Sequence, residues 1–150
     1  MGVKSRHGFK ERVAVEITAY ITMATLTGIG KYSFREKRPD SKARNSFPSG
    51  HTATAFTAAE LIREEYGLYV GIGAYAVATG VAFLRLYNGR HWLNDVIAGA
   101  GVGILSARIA YRMLPLYRRC FWDKSSSGII ISPAYEHTKG LFSVNLTCIF

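Results

Sequence analysis

The sequence has few of the residues that mark several common classes of protein. It contains two cysteines, Cys120 and Cys148, and neither stands at a spacing from histidine that is typical of a zinc site. A disulfide between them would require an oxidising compartment. Only 10 acidic residues oppose 19 basic ones, so the net charge is +9. This excess predicts an anionic partner, but nucleic acid is not expected, because no nucleic-acid-binding motif is present and the basic residues form several short clusters.

The sequence does not predict a cleavable signal peptide. The basic N-terminal segment leads into a helical pattern without a small-residue cleavage site, so we expect either a membrane-embedded protein or a chain that lacks its original N-terminus. An uncharged stretch at residues 68–84 has about the minimum length of a membrane-spanning helix. About half of the 150 residues are apolar, which allows one domain with a single core.

Periodicity and helix-ending residues predict four helices. They cover residues 9–30, 49–66, 68–84 and 91–113, with a long polar loop at 31–48 and a stop near Pro115. Ser49 is the expected N-cap of the second helix, and Gly28 and Gly30 are expected to end the first helix. In the fourth helix, Gly99 and Gly103 predict a close contact between helices.

The C-terminal segment has a different composition. Residues 125–128 are typical of a linker, and the alternating residues that follow predict a β-hairpin that turns near residues 139–140. We therefore expect a helical core over residues 1–124 and a linker with a β-hairpin-like tail over residues 125–150. The predicted fold class is all-α, an up-and-down bundle of about four helices that is membrane-embedded and carries this short tail.

Alternating helix directions bring separated polar residues to one end of the bundle. The first helix ends at Lys31, the second begins at Ser49, the third ends at Arg85 and the fourth begins near His91. In an up-and-down bundle these four ends lie together. Elsewhere the chain offers few places where charge is expected to be buried, and His7 and His137 are expected at the surface.

The residue types at this end suit a phosphate-like anion. The segment Phe47-Pro48-Ser49-Gly50-His51 starts a helix, whose free N–H groups attract anions, and Gly50 permits close approach of the backbone. Arginine grips phosphate oxygens through two N–H groups and lysine adds a point charge, which are the expected roles of Arg38, Arg85 and Lys31.

Two histidines add the potential for chemistry. His91 and Asp95 are four residues apart and share a helix face, so the carboxylate can orient the imidazole as in an activated nucleophile or base. His51 is expected across the pocket, where it can donate a proton to a leaving oxygen. Each of these residues taken alone is more often a solvated or structural side chain, and their joint presence at one end of a bundle carries the interpretation.

Their order and spacing resemble a known family. Lys31 and Arg38-Pro39 come first, then Pro48-Ser49-Gly50-His51, then Arg85, His91 and Asp95 at fixed intervals. This pattern resembles the three-part signature of the type-2 phosphatidic acid phosphatase superfamily, which vanadium haloperoxidases and bacterial acid phosphatases share, and it covers residues 31–112. Two features depart from the family: Leu84 stands where a serine is usual, and membrane members typically have about six helices.

The resemblance implies a mechanism. His91 would attack phosphorus and form a phosphohistidine, Asp95 would orient it, and His51 would protonate the leaving alcohol and then activate water. The phosphate oxygens would be held by five residues: Lys31, Arg38, Ser49, Gly50 and Arg85. No metal and no cofactor are implied, because the cations do what magnesium does elsewhere, and vanadate would act as an inhibitor.

Three functions remain to be compared. The first is a metal-independent phosphatase that acts on a lipid phosphate or pyrophosphate among membrane lipids, in a bacterial-type inner membrane with its active site facing the periplasm or exterior. The alternative is a soluble non-specific acid phosphatase or a haloperoxidase with vanadate as cofactor. The third is an anion- or membrane-surface-binding module without chemistry, which leaves His51, His91 and Asp95 without a role. The sequence names neither the lipid nor the oligomeric state.

Overall fold

A computed structural model describes residues 4–122, 129–136 and 141–148 of the chain. The elements are α1 (Phe9–Phe34), α2 (Gly50–Tyr66), α3 (Leu68–Tyr87), α4 (Leu93–Tyr117), a π-helical turn (Arg118–Trp122), β1 (Ile129–Glu136) and β2 (Leu141–Cys148). The predicted bundle of four helices is thus confirmed. β1 and β2 pair antiparallel, with Ile129 opposite Cys148 and Glu136 opposite Leu141, as expected for a hairpin. The predicted turn at residues 139–140 lies outside the described residues.

The chain divides into two compact units, Met1–Leu114 and Pro115–Phe150. The second unit therefore begins inside α4. The predicted boundary after residue 124 falls on residues that the structure does not describe, so it stays a prediction.

The first helix is longer than the sequence indicated. α1 continues to Phe34, so Lys31 lies in its last turn, and Arg35 ends the helix with a positive φ of 41°. Gly30 does not end the helix. Its small size matters for packing, since a Cβ at this position would lie 2.5 Å from Cδ of Pro48. The glycine lets the loop before α2 contact the end of α1.

The other two helix ends near the predicted site also differ from expectation. α3 continues to Tyr87 and α4 begins only at Leu93, so Arg85 is helical and His91 lies in the connecting turn. Pro115 lies inside α4 rather than ending it. Proline removes one backbone hydrogen bond, and the helix continues for two residues before the π-helical turn begins.

α2 and α4 run parallel and in close contact. The residue numbers at the contacts increase along both helices in the same direction, because Gly99 lies beside Ser49 and Gly103 lies beside Ala53. A Cβ on Gly99 would lie 2.6 Å from the Ser49 carbonyl oxygen, and one on Gly103 would meet the Ala53 carbonyl oxygen even more closely. The predicted close contact at these glycines is therefore confirmed. The adjoining apolar core is built mainly from small side chains on three helices, namely Val15, Ala19, Leu61, Ala107, Ala110 and Leu114.

A buried carboxylate that the sequence analysis missed links three helices. Glu60 of α2 is fully buried and accepts hydrogen bonds from Arg63 Nε (2.7 Å), Tyr75 Oη of α3 (2.6 Å) and Arg108 Nε of α4 (2.9 Å). A buried carboxylate is tolerated when its oxygens are paired in this way. The expectation of few other buried charges was wrong.

Glu65 forms a second polar contact one turn farther along α2. It is buried, and its Oε1 lies 2.8 Å from His7 Nδ1 and accepts a hydrogen bond from Tyr111 Oη at 2.8 Å. His7 is therefore partly buried, which corrects the expectation that it is a surface residue. His137 lies outside the described residues.

Three helical segments are long and apolar enough to cross a membrane: Phe9–Phe34, Leu68–Tyr87 and Leu93–Cys120. They carry large apolar side chains on their exposed faces, among them Ile21, Val77 and Ile97. Exposed apolar surface of this extent is typical of contact with lipid. α2 is not among the three segments, and it carries the buried Glu60 and Glu65.

The glycine contact between α2 and α4 can be tested with a matched pair of substitutions. Gly103→Ala should lower the free energy of unfolding by about 1–3 kcal/mol, because the added methyl group overpacks the contact. Gly101→Ala is the control, since a Cβ there meets nothing within 4 Å, and alanine is the better helix former by about 1 kcal/mol. Denaturant titration in detergent, followed by circular dichroism, measures both. Equal stability of the two variants would contradict the contact.

Candidate active site

The predicted site residues meet at one end of the bundle. A cavity of about 550 Å³ there is lined by five of them, namely Lys31, Arg38, Gly50, His51 and His91. Apolar and small residues of α1, α2 and α3 complete the lining. The remaining three, Ser49, Arg85 and Asp95, do not line the cavity.

Asp95 holds His91 from behind. The carboxylate is fully buried, and its Oδ2 accepts a hydrogen bond from the backbone N–H of Trp92 at 2.9 Å. The same Oδ2 lies 3.3 Å from His91 Nδ1. A proton on Nδ1 is favoured by this carboxylate, which leaves Nε2 as the unprotonated nitrogen of a neutral ring. The geometry therefore suits a nucleophile or a base.

Ser46 is a member of this group that the sequence analysis missed. It is fully buried, its Oγ donates a short hydrogen bond to Asp95 Oδ2, and it lies 3.3 Å from His91 Nδ1. The only signal in the sequence is that Ser46 stands just before the Phe47-Pro48-Ser49-Gly50-His51 segment. A serine in a polar, aperiodic loop is ordinarily taken to be exposed, so its burial could not be inferred.

Ser49 occupies the N-cap position of α2, as predicted, but its side chain makes no capping hydrogen bond. Its backbone N–H donates to the carbonyl oxygen of Asp95 at 2.9 Å, and its Oγ accepts from Thr52 Oγ1 at 3.0 Å. Ser49 is fully buried. In the structure it joins the start of α2 to the start of α4, and its predicted role as a phosphate ligand stays a prediction.

Asn45 connects two of the cations, and the sequence analysis did not single it out. Its backbone carbonyl accepts a hydrogen bond from Lys31 Nζ, and its side-chain Oδ1 accepts one from Arg38 Nε, both at 2.8 Å. Unlike Lys31 and Arg38, Arg85 does not bond to Asn45, and its Nε is buried without a hydrogen-bond partner among the described residues. A buried donor of this kind is costly to leave unpaired.

The cations lower the pKa of the histidine across the cavity. Burial is the largest cause of the lowered pKa of His51, followed by the positive charges of Arg85, Arg38 and Lys31. Burial also lowers the pKa of His91, with Asp95 acting in the opposite direction. Both rings are thus neutral near pH 7. An anion that neutralises the cations would raise the pKa of His51 and favour its protonation.

The described part of the chain contains no group of three histidine, cysteine, aspartate or glutamate side chains that could hold a metal ion. The cavity lining includes cations and no carboxylate. The arrangement can therefore bind an anion, present an oriented imidazole to it, and offer a second imidazole for proton transfer.

The electrostatic environment of His51 can be tested by titration. In protein labelled at its histidines, NMR should show His51 titrating below pH 6.5, the usual value for histidine. Arg85→Gln removes a positive charge, so the pKa of His51 should rise toward that value. Arg112→Gln is the control, because Arg112 is exposed and is not among the causes of the shift. An unchanged pKa in Arg85→Gln would exclude Arg85 from the surroundings of His51.

Two curated proteins are similar in sequence to this chain. A lipid A 1-phosphatase of Porphyromonas gingivalis is 47% identical over 92 residues, which are 59% of this chain and 21% of that protein. A lipid A 1-diphosphate synthase of Escherichia coli is 31% identical over 107 residues, 69% of this chain and 45% of that protein. The chain thus spans less than half the length of these curated relatives.

A solved structure shares the fold. The crystal structure of LpxE from Aquifex aeolicus superposes with a TM-score of 0.64 at 30% identity, covering 69% of each chain. The family model of the PAP2 superfamily matches residues 13–119, most of the chain and all of the predicted site. The chain therefore belongs to the PAP2 superfamily.

Proposed function

We propose that this chain is a phosphatase that hydrolyses a lipid phosphate or pyrophosphate monoester through a phosphohistidine intermediate. The observation that carries the proposal is the position of His91, which is held by Asp95 and Ser46 and lines a cavity together with Lys31 and Arg38. An oriented, neutral imidazole facing an anion-binding cavity is the arrangement that nucleophilic attack on phosphorus requires.

In the proposed mechanism, His91 Nε2 attacks phosphorus while the bond to the leaving oxygen breaks. His51 donates its proton to that oxygen. His51 then takes a proton from water, the water oxygen bonds to phosphorus, and the phosphorus–nitrogen bond breaks to release phosphate. Asp95 stabilises the positive charge that His91 carries in the intermediate. Lys31, Arg38 and Arg85 neutralise the phosphoryl oxygens, so no metal or other cofactor enters a step.

The lipid nature of the substrate is supported by the three helical segments that are long and apolar enough to cross a membrane, and by the relatives whose names include lipid A. A soluble acid phosphatase or a vanadate haloperoxidase would use the same polar residues, but would bury rather than expose the apolar faces of three helices. We place the protein in a bacterial inner membrane, with its active site facing the periplasm or exterior.

Ser46 provides a test of the positioning of His91. Ser46→Ala should lower kcat on an aryl phosphate by about 10- to 100-fold, since a hydrogen bond to a charged group is worth about 1.5–3 kcal/mol. KM should change little, because Ser46 does not line the cavity. Ser41→Ala, an exposed serine in the same loop, is the control and should match the parent. A wild-type kcat in Ser46→Ala, or an effect confined to KM, would contradict the positioning role.

The roles of the two histidines are tested with substrates that have two different leaving groups. The assay is run with and without a chelator, and activity should be the same in both, which tests metal independence. His91→Ala should abolish turnover of every phosphate ester, because no covalent intermediate forms. His51→Ala should slow the first step by about 10²- to 10⁴-fold on phosphatidate, whose alkoxide is a poor leaving group. It should retain more of that step on nitrophenyl phosphate, whose phenolate is already stable.

Single-turnover measurement is needed, because His51 also acts in the second step, which both substrates share. Equal losses on both substrates would show that the assigned roles are wrong. If His51→Ala lost the phosphohistidine while His91→Ala retained it, the roles would be reversed. Activity that is lost on chelation and restored by magnesium would overturn the proposed site.

A further inference from the structure

The side chain next to His91 in the sequence reaches the loop that carries one of the cavity arginines. Trp92 lies in the turn before α4, and its indole Nε1–H donates a hydrogen bond to the backbone carbonyl of Lys37 at 2.9 Å. Lys37 stands directly before Arg38, whose side chain lines the same cavity as His91. The accepting carbonyl therefore belongs to the peptide unit that joins Lys37 to Arg38.

The backbone of Trp92 contacts the other part of the site. Its N–H donates to Asp95 Oδ2 at 2.9 Å, and the same oxygen lies 3.3 Å from His91 Nδ1. One residue thus holds the carboxylate behind the imidazole through its backbone and the segment before Arg38 through its side chain. The two contacts can be separated by experiment, because a change of side chain leaves the backbone N–H in place.

The segment before Arg38 is the first strand of a tight loop. Arg38 N donates to the carbonyl oxygen of Ala43 at 3.1 Å, and Ser46 N donates to that of Glu36 at 3.0 Å, so these bonds close the loop on itself. They do not attach it to the turn that carries His91.

A second contact between this loop and that turn is the ion pair of Arg90 with Asp40, at 2.8 Å. Both residues are exposed. Exposed ion pairs contribute little and are screened by salt. The indole hydrogen bond of Trp92 therefore carries most of the attachment.

We propose that Trp92 is a positioning residue for Arg38: its indole N–H fixes the peptide unit before Arg38 and so sets the guanidinium group relative to His91. The proposal rests on the proposed function and adds to it a residue that joins anion binding to the nucleophile. Trp92 itself does not line the cavity, so it acts through Arg38 and not by touching the phosphate.

The test removes the indole donor and measures phosphate binding directly. Trp92→Phe keeps an aromatic ring and the backbone N–H that holds Asp95. In a ³¹P NMR titration of the full chain in detergent, Kd for inorganic phosphate should rise by about two- to tenfold, the usual effect of one hydrogen bond. On nitrophenyl phosphate, KM should rise to a similar extent and kcat should change by less than about twofold, as expected when binding of the ground state and the transition state weaken together.

A second variant separates the donor from the packing of the ring. Benzothienylalanine, incorporated in place of Trp92, has the shape of tryptophan with a sulfur instead of the N–H, and it should cause the same loss. Tyr87→Phe is the control, because it also removes a polar atom from an exposed aromatic ring near this turn, and the Tyr87 hydroxyl makes no hydrogen bond within the described residues. Binding of phosphate by the benzothienylalanine protein that equals that of the parent would overturn the proposal.

A double-mutant cycle tests whether Trp92 acts through Arg38. Arg38→Gln alone should weaken phosphate binding. Addition of Trp92→Phe to Arg38→Gln should then cause no further loss, because the positioned guanidinium group is already absent. Losses that multiply would show that Trp92 acts independently of Arg38, which contradicts the proposed role.

The remaining results separate this role from the proposed function. An effect on kcat alone, with phosphate binding unchanged, would mean that Trp92 acts through Asp95 and that the proposal is wrong. If phosphate binding weakens as expected but the parent protein hydrolyses no phosphate ester, the positioning role stands and the proposed function has failed. If the parent protein does not bind phosphate, both are overturned.

Discussion

The buried carboxylate of Asp95 is the group on which the rest of the site depends. Burying an isolated carboxylate costs several kcal/mol, and the cost is offset only by nearby proton donors. Asp95 receives Ser46 and the N–H of Trp92 on one oxygen, and its backbone carbonyl receives the N–H of Ser49. The loop, the start of α2 and the start of α4 are thereby joined at one residue.

A second polar anchor sets the register of the helices that carry the site. Glu60 lies about three turns along α2 from the anchor at Ser49, or about 16 Å, and it is reached by Arg108 of the parallel helix α4. Between the two anchors, Gly99 and Gly103 bring the helix backbones together. Because removing a partner from a buried carboxylate is strongly destabilising, a sliding of α4 along α2 would disrupt both anchors at once. The position of His91 against His51 is therefore maintained by contacts along the length of the two helices.

The sequence was sufficient to predict which helix ends meet, because helix alternation and motif spacing are local properties that survive in the fold. It could not identify Ser46 or Asn45, since an aperiodic loop gives no indication of which polar side chains turn inward. Gly30 was read as a helix end from its own propensity, whereas it contacts Pro48 in the loop before α2. Glu60 was missed for a similar reason: a charged run near the end of a helix is ordinarily a solvated face. Each error came from a partner that is distant in sequence.

The concentration of positive charge in the site has a consequence for the timing of proton transfer in the proposed mechanism. With the cavity empty, burial and the charges of Arg85, Arg38 and Lys31 keep the pKa of His51 low, which favours the neutral ring over the imidazolium that acts as an acid. A phosphate dianion that binds these cations removes most of their effect, and the pKa of His51 rises while the leaving oxygen is in place. The ring becomes an acid when substrate is present. After the alcohol has left with the proton, the same ring is neutral and ready to accept a proton from water. A single histidine can therefore serve both steps, because the charge of the bound phosphoryl group changes its protonation state and no second residue is needed.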